Sequence, residues 1–307
     1  MCAHRVRVVR VLAVVGLLVA GSGAVVGCGG ERSGGAHGPV GEAASRREDR
    51  VRQVADAWEG SAAVRVWRRG YQPLEAAVQL PEGGLHGADD RLAYRRGNFA
   101  LGGELPGTPR GDGRVVWRNG DSLALPLVGA DRALRGLDRA DSPGPRLTVT
   151  GARPGEMTLG ATNRGPATVP AWLFTLKGYG TPLKVAAVAP SRLPAPPVGP
   201  VRGLPADVLA PLDGLTEVSG DGRSLTVVAT HGSCDDGPAV DVRETGTAVV
   251  LSAYVVGTKD GPCTDELRGE RVTVRLERPM GERVVLDAST GRPVTHRDVP
   301  VIRGAQE

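Results

Sequence analysis

Aromatic residues are scarce in this chain: two Phe, four Tyr and four Trp among 307 residues. A core with so few rings must be filled mostly by aliphatic side chains. With 45 glycines and 24 prolines, short strands and turns are favoured over long helices. Lysine is nearly missing, with only Lys177, Lys184 and Lys259 among 38 basic residues. That arginine skew fits a GC-rich coding sequence better than a demand for bidentate anion binding. Motifs that carry a mechanism are lacking too. There is no Gly-x-Ser-x-Gly elbow, no His-Glu-x-x-His, no P-loop and no Gly-x-Gly-x-x-Gly. The sequence therefore names no reaction and predicts no catalytic residue and no cofactor.

What is present begins at residue 1. Arg5, Arg7 and Arg10 precede an apolar run from Val11 to Val19, small residues follow, and no acid occurs before Glu31. That order predicts a secretory signal peptide over 1–27. The apolar stretch to Gly27 falls short of the ~20 residues of a permanent span. Val25-Val26-Gly27-Cys28 resembles the bacterial lipobox. The resemblance implies cleavage before Cys28 and a diacylglycerol on its thiol, so the membrane is a partner through a lipid anchor. Residues 28–47 read as a flexible tether: Gly29-Gly30-Glu31-Arg32-Ser33-Gly34-Gly35 has no periodic apolar face. Some twenty such residues reach ~25 Å. Removing three signal arginines from 38 basic residues leaves 35 against 34 acids, a net +1, and gives no electrostatic case for nucleic acid.

Four cysteines reduce to one pairing. Cys2 leaves with the signal, Cys28 carries lipid, and Cys234 and Cys263 remain. Outside the cytoplasm such a remainder pairs, and closing that loop would stabilise by ~3–4 kcal/mol. A metal or a free reactive thiol are the alternatives.

Along the chain, 48–190 reads as a first β-rich domain, 191–205 as a Pro-rich linker, and 206–307 as an all-β domain. The fold class is mainly β: two sandwich-like units and one short N-terminal helix. Val51, Val54, Ala55 and Trp58 make the helical stripe, docking on the first domain. Ala63–Arg68, Leu74–Leu80 and Arg91–Leu101 read as strands, and Asn119-Gly120 as a type I′ turn between Arg114–Arg118 and Ser122–Val128. Ala130–Asp138 reads as a short helix. Strands follow from Leu147, with Trp172, Phe174 and Leu176 on one face. The last domain reads as strands Leu225–Thr230, Ala239–Arg243, Ala248–Val256, Arg271–Glu277 and Arg283–Asp287, with Asp213-Gly214 and Asp221-Gly222 as turns. Val66-Trp67-Arg68-Arg69-Gly70 returns as Val116-Trp117-Arg118-Asn119-Gly120. With no third copy, these read as two similar hairpin entries and not as a propeller repeat.

Arg164-Gly165-Pro166-Ala167-Thr168-Val169-Pro170-Ala171-Trp172-Leu173-Phe174, Pro279-Met280-Gly281-Glu282-Arg283 and Asp287-Ala288-Ser289-Thr290-Gly291-Arg292-Pro293 resemble segments of secreted actinobacterial lipoproteins. Over 145–300 that resemblance implies a surface lipoprotein, with no catalytic residue to carry over.

Three further features are candidates for chemistry. Thr230-His231-Gly232-Ser233-Cys234 is similar to the Ser/Thr-His-Gly-Cys motif of L,D-transpeptidases. Ser233 is inserted, however, and Asp235 and Asp236 stand where that family carries arginine. Acids beside a thiol disfavour its thiolate. His231, Asp235 and Asp236 form a weak candidate site for a hard cation. Trp67, Tyr71, Trp117 and Trp172 are candidate ligand contacts in a groove for sugar or peptide, against the simpler role of core. The functional expectation is a lipid-anchored extracytoplasmic protein on the outer face of the cell membrane. It would be a non-enzymatic module binding an envelope or cell-wall partner. The alternatives are a wall- or peptide-directed hydrolase with a distributed site, and a transporter's substrate-capture lipoprotein.

Overall fold

Strands dominate the computed structural model, which describes residues 39–107, 109–139, 143–257, 264 and 266–297. The signal peptide, Cys28, the first part of the tether and Cys263 lie outside the described residues. In chain order the elements begin with α1 (Pro39–Trp58), α2 (Ala62–Arg69), β1 (Val78–Gln79), α3 (Gly87–Arg96), β2 (Phe99–Leu101), β3 (Asp112–Trp117) and β4 (Ser122–Pro126). Then come α4 (Ala130–Leu137), β5 (Leu147–Leu159), β6 (Ala167–Leu176) and β7 (Leu183–Ala186). The rest is all strand: β8 (Leu212–Val218), β9 (Ser224–Gly232), β10 (Gly237–Glu244), β11 (Ala248–Val256), β12 (Leu267–Arg275) and β13 (Val284–Asp287). The mainly β, two-unit expectation holds.

The first unit is one seven-stranded sheet built on β6. Along one edge β6 pairs antiparallel with β5, from Leu159↔Ala167 to Val149↔Leu176. On the other edge it pairs with β3 at Thr168 and then with β7 at Ala171–Phe174. Apolar side chains cover both faces, as alternation along a strand requires when neither face is wet. Trp172, Phe174 and Leu176 pack with Ala93 of α3 and Ala133 and Leu134 of α4. Val169, Ala171 and Leu173 point the other way, packing with Trp117, Met157 and Leu159.

The second unit is a sandwich of two three-stranded sheets, β10-β11-β13 and β12-β9-β8. Leu225 and Val227 of β9 and Val274 of β12 share a core with Val249 and Leu251 of β11. The run Ala248–Val255 is apolar almost throughout because β11 is covered twice. The opposite sheet takes one face and α1 takes the other, with Val51, Val54, Ala55 and Trp58 in the same core.

Several expectations change here. Helix α1 begins at Pro39, not at residue 48, so the tether cannot extend to residue 47. Its first turns lack an apolar stripe, but Glu42–Arg46 and Glu48–Arg52 pairs at i,i+4 support them. Helix α1 docks on the second unit, not the first, and the Pro-rich segment is pinned beside it: Val201 N donates to Ser289 O at 2.9 Å. Val51, Val54, Trp58, Val64 and Trp67 thus belong with the C-terminal core, whereas Tyr71 packs with the first sheet, and Gly38–Glu307 is one compact body that contains both units. Four helices occur among the described residues: α1 and α4 were expected, α2 and α3 were not.

Ala63–Arg68 is helix because Ser61 caps it, its Oγ accepting from Val64 N at 3.1 Å. Arg91–Leu101 is mostly α3, with Asp89 and Asp90 in its first turn, Arg95 and Arg96 in its last, and left-handed Gly97 as its stop. Of Leu74–Leu80 only Val78 and Gln79 pair, with β7. The hairpin at Asn119-Gly120 has three loop residues: Gly120 N donates to Trp117 O and Trp117 N to Asp121 O, both at 2.9 Å. Gly120 at φ +90° supplies the turn's last step in place of a type I′ pair. The similar run at 66–70 is the end of α2, so the echo joins two unlike structures. Gly214 is a bulge within β8, its backbone against Arg297, while Asp221-Gly222 does turn the chain.

Candidate functional site

The strongest concentration of buried polar chemistry is the seam between α1 and the second unit. Arg47 lies 3.5 Å over the Tyr254 ring, and its Nε is 3.2 Å from Asp241 Oδ2. One turn on, Arg50 donates to Ala288 O (2.8 Å), Gly199 O (2.6 Å) and Gln53 Oε1 (2.7 Å). Trp58 Nε1 donates to Gly291 O at 2.9 Å, and Thr247 Oγ1 to Glu59 Oε2 at 2.7 Å. Beneath Arg50 lies buried Asp287, which accepts from Ser289 N and Thr290 Oγ1, each at 2.9 Å. Burial pushes its carboxyl above the ordinary aspartate range despite those donors, and burial lowers Arg50, with Asp287 opposing.

Where α1 runs out over β10, a cleft of about 350 Å³ opens. Arg47, Glu48 and Val51 form one wall; Asp241, Arg243 and Ser252 form the other. Asp241 and Ser252 face each other across the β10–β11 ladder. The cleft offers two cations, two carboxylates and a hydroxyl, which suits a small dipolar molecule. Its described lining contains no imidazole, and Asp241 is the carboxylate placed across from Ser252. No local signal announced it, because Arg47 and Asp241 are 194 residues apart.

The expected site residues fall elsewhere. Trp67, Tyr71, Trp117 and Trp172 are buried and do not line a groove. Trp117 Nε1 donates to Thr162 Oγ1 at 3.0 Å and Trp172 Nε1 to Val128 O at 2.7 Å. Trp67 Nε1 and Tyr71 OH have no hydrogen-bond partner among the described residues, and burial raises the Tyr71 hydroxyl's pKa far above normal.

His231, Asp235 and Asp236 are not assembled into a cation site. Among the described residues no three His, Cys, Asp or Glu side chains gather for a metal. Asp235 Oδ2 turns back to accept from Gly232 N at 2.6 Å. His231 stands on β9 with Nε2 3.7 Å from Glu270 Oε2, and its buried Nδ1 has no partner among the described residues. His86 stacks on Tyr179 at 4.2 Å, and His296 Nε2 lies 3.1 Å from Thr216 O.

Cys234 sits in the turn after β9. Nearby, Ser233 Oγ donates to Thr264 O at 3.0 Å and Thr264 Oγ1 to Ser233 Oγ at 2.8 Å.

Pro279–Arg283 and Asp287–Pro293 lie at turns, whereas Ala167–Phe174 is part of β6. Arg283 donates to Met280 O (3.1 Å), Arg278 O (2.8 Å) and Pro279 O (3.0 Å), and its Nη1 bridges to Glu244 at 2.6 Å. Gly291 N donates to Asp287 O at 2.8 Å. Arg164 stacks 3.9 Å over Trp117 and pairs with Asp121.

No protein-family model, no curated protein and no solved structure matches the chain. Among the described residues no helix is long and apolar enough to cross a membrane.

Proposed function

We propose that this chain is an extracytoplasmic protein, held at the outer face of the cell membrane by acylated Cys28. It acts as a binding or envelope-interaction module and not as an enzyme. The observation that carries the reading is Val25-Val26-Gly27-Cys28 standing eleven residues ahead of Pro39, where the keyed-in helix α1 begins. A tether of ten residues reaches ~17 Å on average, or ~35 Å when fully drawn out. The folded body would therefore ride close to the bilayer.

A Cys234–Cys263 disulfide is part of the proposal. It is supported by the contacts of Ser233 with Thr264 and by the register Gly232↔Leu267, which bring the flanks of the two cysteines together. The binding role is supported by the cleft beside α1, which carries charge of both signs.

The test is metabolic labelling of cells with an alkyne palmitate analogue, followed by fractionation. The native chain should take the label and sediment with membranes, whereas Cys28→Ser should be unlabelled and released. A native chain that is unlabelled and soluble would overturn the anchor.

A further inference from the structure

A second opening lies on the other side of α2. Ala62, Arg65, Val66 and Arg69 occupy i, i+3, i+4 and i+7, one stripe of the helix, opposite the buried Ala63, Val64 and Trp67. Facing them are Leu123 and Leu125, two apart on β4, which ends the sheet on that side. Together they line an open trough of about 350 Å³. That is the low end of the ~300–1,000 Å³ of ligand pockets.

The trough is amphipathic in a specific way. Its floor is aliphatic: Val66, Leu123 and Leu125 are only half-covered by the rest of the protein. Its rim is cationic and uncompensated. Neither α2 nor β4 contains an acid, and no acid lines the cavity. Arg65 donates to Gly60 O, a neutral carbonyl. Arg69 makes no ion pair among the described residues. Complementing the helix dipole accounts for a cation in the last turn, as at Arg68 and Arg69, but not for Arg65 in the middle beside an apolar floor.

We propose that this trough binds a single-chain anionic amphiphile, an alkyl carboxylate of fatty-acid type. The carboxylate would take the two guanidinium forks of Arg65 and Arg69, and the alkyl chain would cover Val66, Leu123 and Leu125. The cavity's small volume selects one short chain over a two-chain lipid, and the lack of an aromatic platform disfavours a base or sugar ring. This inference goes beyond the cleft beside α1 and concerns a separate site. It does not rest on the anchor.

The experiment uses the full chain carrying Cys28→Ser, free of its own acyl group, with cis-parinaric acid as a fluorescent probe. Dodecanoate should displace the probe at least ~10-fold more strongly than dodecanol, a difference of ~1.4 kcal/mol supplied by the charge. The double variant Arg65→Glu/Arg69→Glu should bind the probe at least ~10-fold more weakly. Arg68→Glu, which carries the same charge change one position off the trough, should bind within ~2-fold of the parent and control for net charge. Thermal melts of each variant establish folding. Equal displacement by dodecanol would overturn the proposal. So would retention of binding by a folded double variant, an equal loss in Arg68→Glu, or displacement by two-chain phospholipid but not by dodecanoate. Each of these four failures would leave palmitate labelling of the native chain unchanged, so it would be distinguishable from failure of the anchor.

Discussion

Replacing Arg50 with Met tests whether α1 is held by buried polar chemistry or merely by its apolar stripe. The Arg50 side chain is 7% exposed and donates to two main-chain carbonyls of the second unit at 2.6–2.8 Å. Hydrogen bonds from a charged donor contribute ~1.5–3 kcal/mol each. The attraction of Arg50 for Asp287, which is not a direct ion pair, adds less than one such bond. These overlap, and methionine recovers some apolar contact, so the expected loss is ~3–4 kcal/mol by urea unfolding. The accompanying fall in Tm is on the order of 10 °C. Arg52→Met, on the exposed face, should cost less than ~0.5 kcal/mol.

The loss should also depend on pH. Asp287 titrates higher in the fold than in the unfolded chain, so the fold binds that proton more tightly. The resulting stability is full below the unfolded aspartate value of ~3.9 and is lost as pH rises through the folded one. Arg50 moderates this loss by attracting the carboxylate, so Arg50→Met should cost more at about pH 7 than at about pH 4. A cost below ~1 kcal/mol, or one no larger at neutral pH, would refute the role given to Arg50.

Glu244 should behave in the opposite sense. Burial pushes its carboxyl up, but Arg283 and the Glu277 and Arg278 amides outweigh that and hold it below its normal value. Its stability is present above the unfolded value of ~4.3 and lost as pH falls through the folded one, so Glu244→Gln should flatten the acid side of the stability profile. Gly291 has φ +69°, and a Cβ there would sit 2.6 Å from Val198 O. Gly60, at φ +63°, faces open space. Gly60→Ala should cost ~1–2 kcal/mol and Gly291→Ala clearly more, by thermal melting. Native material digested without reductant should yield Cys234 and Cys263 in one linked peptide, and Cys263→Ser should lower stability by ~3–4 kcal/mol.

Strands β9 to β13 were legible because one face alternates, as at Val272 and Val274, or because β11 is apolar almost throughout; β8 was not, because Asp213-Gly214 reads as a turn. Of the helices, the C-terminal half of α1 and all of α4 were legible, and α2 and α3 were not. In α2 Val64 and Val66 also fit a period of two over so short a run, and the cap at Ser61 decided it. In α1 the first turns lack an apolar stripe, so periodicity reports nothing while charge pairing does. The cleft beside α1 was invisible for a different reason. Arg47, Asp241 and Ser252 are each ordinary in their own neighbourhoods, and only docking across most of the chain brings them together. The expected aromatic groove failed because a chain with ten rings spends Trp58, Trp67, Trp117 and Trp172 on filling its interior.

The attachment of α1 also sets an order of maturation. Its partners Ala288, Ser289 and Gly291 follow it in synthesis by 238, 239 and 233 residues. The earliest helix of the body must wait, with Val54 and Trp58 solvated, until the final strands emerge. A product cut short before residue 288 would leave that helix without its seat, a lasting greasy flag for whatever protease polices incomplete chains.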